Sequence, residues 1–189
     1  MTKEIRRRAD LIEATLREIG AEGTLNVTVG KIARRAGVSP GLAFHYFGDK
    51  EQLFLAAMRA ILRAFHGQVV AALHEAEGPA ARLEAILRAS FAPSHFEDGA
   101  VAAWLNFYVL AQTSPEAQRL LALYHRRFHS NLVHDLRPLV GSERAHGAAE
   151  RIAGLVDGLY LRFALDRNAV DPAPAIAQVL AALEAEIAA

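Results

Sequence analysis

The sequence predicts an all-α protein of about nine helices. Three observations lead there. Ala, Leu, Arg and Glu dominate while β-branched residues are sparse, a composition that costs little side-chain entropy in a helix. Apolar residues recur three and four apart along most of the chain, and Ser, Thr, Asp, Gly and Pro punctuate it at intervals suited to helix caps. With 189 residues, 52% of them hydrophobic, the chain is long and apolar enough to bury a core.

The first helix is expected over about Arg6 to Ile19, with Ile12, Leu16 and Ile19 inward, Arg7, Arg8 and Glu18 on the wet side, and Gly20 as its stop. Thr28 should cap a short second helix through Ala36, with Ile32 and Ala33 inward, and Gly37 should supply the turn. Ser39 should cap a third helix that has Pro40 in its first turn and Val38, Ala43 and Phe47 facing inward. Asp49 and Gln52 resemble a capping box that launches a long helix, Lys50 to Glu75. Five more helices follow: Pro79 to Phe91, Ala100 to Thr113, Pro115 to Leu136, Glu143 to Asp166, and Pro172 to Ile187. Ser114, Ser142 and Asp171 stand as their N-caps where a Pro or an acidic first turn follows. The implied domains are a head at 1–50 running into a linking helix at 50–75, and a body at 76–189.

There is no cysteine, so disulfides and thiolate metal sites are excluded, and the composition suits a reducing cytoplasm. No secretory signal follows the charged start, and apolar stretches such as Val69 to Leu73 are too short to span a bilayer, so no membrane association is expected. The overall formal charge is +0, but residues 1–50 carry nine Lys and Arg against six Asp and Glu, a net of +3 that the remainder balances. A basic head on an acidic body suits presenting one end to a polyanion.

The segment Val27 to Phe54, VTVGKIARRAGVSPGLAFHYFGDKEQLF, reads as two short helices joined by a glycine turn. If Val38, Ala43 and Phe47 point inward, then Pro40, Gly41, Leu42, Phe44 and His45 form the outer surface of the second of them, the surface that enters a major groove. Leu42 can touch a thymine methyl, Gly41 lets backbone approach closely, and His45 can hydrogen-bond a base edge. Thr28, Ser39, Tyr46 and Lys50 lie at helix starts or edges, where hydroxyls, N–H groups and an ammonium grip phosphates. This segment resembles the helix-turn-helix signature of the TetR family, with Ile32-Ala33, Ala36-Gly37-Val38-Ser39, Gly41, Tyr46-Phe47 and Asp49-Lys50-Glu51 at the family's spacings. The family commonly carries an aromatic hydroxyl where Phe44 stands, a departure that bears on that phosphate contact. The resemblance implies a dimeric, DNA-binding transcriptional repressor that leaves its operator when a small molecule binds.

In the body, Ala103-Trp104-Leu105-Asn106-Phe107, Arg126-Arg127 with Ser130-Asn131-Leu132-Val133, and Leu155 to Arg162 are similar to the choline-responsive BetI subgroup. That resemblance implies a quaternary ammonium effector, for which Trp104, Phe107, Tyr108 and Tyr160 would supply aromatic faces and Asp157 a counter-charge. The alternatives are that these rings are core, or that they hold an uncharged apolar ligand of an efflux or catabolic regulator. His125 and His129, with His134 and Asp135 near, offer two ligands on one face but no evident third, so a polar face is expected rather than a metal. Stripes at Ile152, Leu155, Leu159 and Phe163, and at Ile176, Val179, Leu180 and Leu183, suit a four-helix homodimer interface made by the last two helices. Gly67 is either a soft point in the long helix or a glycine for close packing. No cofactor signature and no hydrolase elbow, phosphate loop or metalloprotease motif occurs, so no enzyme is expected.

Overall fold

A computed structural model describes residues 3–166 and 171–189. These residues form nine α-helices and no strand: α1 (Lys3–Glu22), α2 (Val29–Arg35), α3 (Pro40–Phe47), α4 (Lys50–Glu75), α5 (Gly78–Ala89), α6 (Asp98–Leu110), α7 (Pro115–Val140), α8 (Ser142–Leu165) and α9 (Ala173–Ala188). A single 3₁₀ turn, Pro93–Phe96, lies between α5 and α6 and was not anticipated from the sequence.

The chain divides into two compact units, one of Met1–Ala64 with Glu97–Leu121, the other of Phe65–Phe96 with Ala122–Ala189. Helices α4 and α7 each contribute to both. A division by packing therefore differs from one by motif, since α6, expected in the body, belongs with the head.

In the first unit Leu11, Ala14 and Ile19 of α1 are buried with Ile32 and Ala33 of α2, Ala43 of α3, and Leu53, Leu55 and Met58 of α4. The face of α1 is turned one step from expectation: Ile12 and Leu16 are only half-buried, while Leu11, Ala14, Thr15 and Glu18 are inside. Glu18 is tolerated there because Arg35 of α2 donates to its carboxylate. Nor does Gly20 end the helix. It runs to Glu22, and Gly23 ends it with φ +68°, where a glycine pays no Cβ clash.

Helix α6 lies against α1 at van der Waals limits. A Cβ on Gly99 would sit 2.7 Å from the Leu16 carbonyl oxygen, so only glycine fits. At the other end, Asn106 Nδ2 donates to the Gly23 carbonyl at 3.2 Å and to Ala102 O at 2.8 Å. The start of α4 is held to α7 by a polar clasp. Gln52 Nε2 and Arg59 Nη2 both donate to the Glu116 carboxylate at 2.6 Å, and Ser114 Oγ donates to Glu51 at 2.6 Å. These hydrogen bonds hold the Glu116 carboxyl below the usual carboxylate range. The expected capping box is thus half formed: Asp49 caps the Gln52 N–H at 2.8 Å, but the Gln52 side chain serves Glu116 instead.

The second unit is built on Leu83, Ile86, Leu87 and Phe91 of α5, Leu132 and Leu136 of α7, Ala145, Ala148 and Ile152 of α8, and Val179 and Leu183 of α9. Asp135, buried, is paired with Arg82 at 2.9 Å. Two boundaries differ from expectation. Helix α7 passes through Pro138 to Val140, since the ring costs one hydrogen bond near an exposed end, and Gly141 rather than Ser142 precedes α8. Gly67 is exposed with open space beside its Cα, so close packing does not explain it.

By length and hydropathy alone α4 is long and apolar enough to cross a membrane, contrary to the expectation that every apolar stretch is too short. Its buried apolar residues, Leu53, Phe54, Leu55, Ala57, Met58 and Val69, are core residues of the two units.

Substituting Gly99→Ala should lower the stability of the first unit by about 1–3 kcal/mol, the cost of overpacking against backbone that cannot move aside. Urea denaturation reads it; an unchanged midpoint would contradict the close approach of α6 to α1.

Candidate nucleic-acid interface and aromatic site

The α2-turn-α3 segment forms as its cap residues dictate. Thr28 Oγ1 accepts from Lys31 N at 3.2 Å, and Ser39 Oγ accepts from Leu42 N at 3.3 Å. Between them Gly37 turns the chain with φ +66°, and Val38 N donates back to Ala33 O at 2.9 Å. Each hydroxyl uses a lone pair in capping and keeps its hydrogen available to a phosphate oxygen.

With Ala43 buried, Pro40, Gly41, Phe44 and His45 are exposed and Leu42 and Tyr46 half-exposed. Phe44 shows 48% of its surface, a large apolar residue on a helix that otherwise has no reason to display it. A Cβ on Gly41 would meet nothing in the fold, so the glycine, unfavourable inside a helix, is not required by internal packing. Thr28, Ser39 and Lys50 are exposed as well, on the two helix starts and at the head of α4.

Arg8 is exposed, as expected, but has a role that the sequence reading missed. Expected merely on the wet side, its guanidinium donates to the Tyr46 carbonyl at 2.5 Å and lies 5.5 Å from the ring centroids of both Tyr46 and Phe47. It therefore caps the end of α3 and holds that helix to α1 by a hydrogen bond and cation–π contact. One arginine of the run Arg6-Arg7-Arg8 carried no spacing signal that could have revealed this.

The five residues expected at a ligand site fall in two groups. Trp104, Phe107 and Tyr108 lie in the first unit, where Trp104 contacts Phe107 edge-on at 5.9 Å and Tyr108 at 5.8 Å. Phe107 is fully buried beside Phe54, so it is core to that unit. Asp157 and Tyr160 lie in the second unit, one turn apart on α8.

Around Asp157 and Tyr160 the second unit assembles rings that were not foreseen. Tyr160 Oη donates to the His95 carbonyl at 2.9 Å, and its ring lies 5.1 Å from Phe96. The His95 ring meets Phe65 edge-on at 5.3 Å, and Phe65 meets Tyr124 at 6.1 Å. Asp157 is half-buried and, among the described residues, makes no hydrogen bond or ion pair. Burial pushes its carboxyl above the usual range, opposed by the nearby His125. Only the pairing of Phe65 with Gln68, three apart, and of Tyr124 with Phe128, four apart, marked these side chains in the sequence.

The histidines considered for a metal are otherwise engaged. His129 lies 5.6 Å from the His146 ring, and His134 Nδ1 is 3.0 Å from Asp135. No group of three or more candidate ligands occurs among the described residues.

Residues 11–57 match the model of bacterial regulatory proteins of the tetR family, and residues 79–188 match that of the BetI-type transcriptional repressor, C-terminal. The HTH-type transcriptional regulator BetI of Brucella anthropi is 49% identical over 92% of this chain and 89% of its own. Among solved structures, a transcriptional regulator from Pseudomonas aeruginosa PAO1 superposes with a TM-score of 0.86 at 28% identity, covering 100% of this chain and 93% of that one. A regulator from Saccharomonospora viridis, solved in complex with choline, superposes with a TM-score of 0.82 at 21% identity, covering 97% of each chain, and shares the fold. The chain belongs to the TetR family of transcriptional repressors, in its BetI-type branch.

Proposed function

We propose that this repressor is released from its operator by a quaternary ammonium compound, choline foremost, held in the second unit by aromatic faces and by Asp157. One observation carries the reading: a half-buried carboxylate without a hydrogen bond or ion pair among the described residues, one turn from Tyr160. A buried charge of that kind is costly until an opposite charge arrives. A quaternary ammonium cannot donate N–H hydrogen bonds, so ring faces and one carboxylate are the partners it needs. The choline bound by the Saccharomonospora viridis relative supports the same assignment.

The exposed side of α3 reads the operator. Leu42, Phe44 and His45 meet base edges with Pro40 and Gly41 beside them, while Thr28, Ser39, Tyr46 and Lys50 fix register on phosphates. We further propose a homodimer through α8 and α9. The stripe residues Ile152, Val179 and Leu183 are internal core, so the contact would use the outer face, where Gly154, Gly158 and Leu161 of α8 and Ala177 and Ala181 of α9 are exposed. Two-fold symmetry then requires a pseudo-palindromic operator with half-sites roughly 34 to 36 Å apart. We propose that effector binding shifts α4, Lys50–Glu75, which carries Phe65 beside His95. Effector binding acts only through its preference for the state that does not hold DNA. We assign the chain no catalytic step and place it with the chromosome, in the cytoplasm.

Lys50→Ala should weaken binding to all DNA alike and reduce the slope of log affinity against log salt by about 1, while His45→Ala or Leu42→Ala should cost about 1–3 kcal/mol on the operator alone. Fluorescence anisotropy across salt concentrations separates the two; equal losses on operator and random DNA for His45→Ala and Leu42→Ala would contradict base reading.

For the effector, Asp157→Asn should lower choline affinity about tenfold or more, below the full cost of a buried pair because Asp157 is only half-buried. Because its carboxyl is raised in the folded protein, it holds its proton to higher pH than a free aspartate. Choline should therefore bind more tightly as pH rises through that range, and binding should take up no proton but release one. Calorimetry in buffers of different ionisation enthalpy measures this. A pH-independent affinity in the wild type would contradict the role of Asp157.

A further inference from the structure

We propose that the effector site also contains a hydroxyl receptor, His95 Nε2 with Gln68 Oε1, which selects a hydroxylated quaternary ammonium over analogues lacking an O–H donor. The inference rests on the cation reading above and names what that cation must carry.

His95 sits in the 3₁₀ turn Pro93–Phe96, with Nδ1 3.2 Å from the Ser90 carbonyl oxygen. A carbonyl only accepts, so Nδ1 carries the hydrogen. Burial holds this imidazole below its ordinary range, which makes it neutral, so Nε2 offers only a lone pair. That atom is buried and has no hydrogen-bond partner among the described residues. Gln68 Oε1 is in the same condition, while its Nε2 donates at 2.9 Å to Ser94 Oγ on the residue before His95. Two buried acceptors cannot satisfy each other. Each requires a hydrogen from elsewhere, and native folds rarely leave such atoms without one.

The residues that carry both atoms are linked by contacts to the site already described. Phe65, one turn before Gln68 on α4, meets the His95 ring edge-on at 5.3 Å. The His95 carbonyl accepts the Tyr160 hydroxyl at 2.9 Å, and Asp157 is one turn before Tyr160. A cationic head near Asp157 and a hydroxyl at His95 and Gln68 describe an amino alcohol. A carboxylated cation such as glycine betaine brings only acceptors and would leave both atoms unpaired or repelled.

Calorimetry on the full-length protein tests this with four probes: choline, ethyltrimethylammonium (the same cation without hydroxyl), glycine betaine, and 3,3-dimethyl-1-butanol (the same alcohol without charge). The wild type should bind choline about tenfold or more tightly than ethyltrimethylammonium or betaine, the scale of one hydrogen bond to a buried acceptor. In His95→Phe, and separately in Gln68→Leu, that preference, read as the ratio of the two affinities, should shrink to about twofold or less. Equal affinity for choline and ethyltrimethylammonium in the wild type, a comparison that needs no variant, would overturn the proposal and leave water as the partner of both acceptors. A preference surviving both substitutions would also overturn it. Failure of the cation reading looks different: dimethylbutanol binds as well as choline and still depends on His95, which supports the hydroxyl receptor alone. If none of the four binds, both readings fall.

Discussion

The close approach of α6 to α1 is the constraint on which the first unit depends. Backbone carbonyl and backbone Cα meet where no side-chain atom fits, at Leu16 and Gly99, and Asn106 ties the other end of α6 to the carbonyl of Gly23. Backbone contacts of this kind have few alternative arrangements, because there is no rotamer to change. Helix α1 in turn holds α3 through Arg8 and holds α2 through the pairing of Glu18 with Arg35. The position of the reading helix is thus set by a chain of contacts that begins at Gly99. Helix α6, which carries Trp104 and Tyr108, belongs to the same compact unit as the DNA-reading helices.

The second unit obeys a different logic. Its core is closed by aliphatic and alanine contacts among α5, α7, α8 and α9, yet it keeps several polar atoms in unfavourable states. Asp157 is half-buried, and among the described residues the buried His95 Nε2 and Gln68 Oε1 have no hydrogen-bond donor. Groups of this kind detract from stability until a complementary group arrives, and the proposed ligand, with its positive charge and its hydroxyl, would supply one to each.

Much of the fold was legible because capping chemistry is local. Thr28, Ser39, Asp49 and Ser114 each cap the helix start that their side chains announce, and α4 spans the expected residues. The DNA-reading face followed from the inward position of Ala43. What escaped was non-local. The rotation of α1, the burial of Glu18 and the role of Arg8 depend on what α2 and α3 present to that helix, which no periodicity encodes. The shared helix face of Asp157 and Tyr160 was legible from their spacing, but the rings of Phe65, His95 and Tyr124 come from three separate segments. The 3₁₀ turn that brings His95 to Phe65 has no strong signal beyond a proline.

Native-state hydrogen exchange of the α1 and α6 amides tests the central claim most directly, because local openings report which elements unfold together. If α6 is clasped to α1 as described, the slowest amides of the two helices open with one common free energy and a common denaturant dependence. Exchange in α6 at markedly lower free energy, with α1 still protected, would show that α6 is not part of the DNA-reading unit.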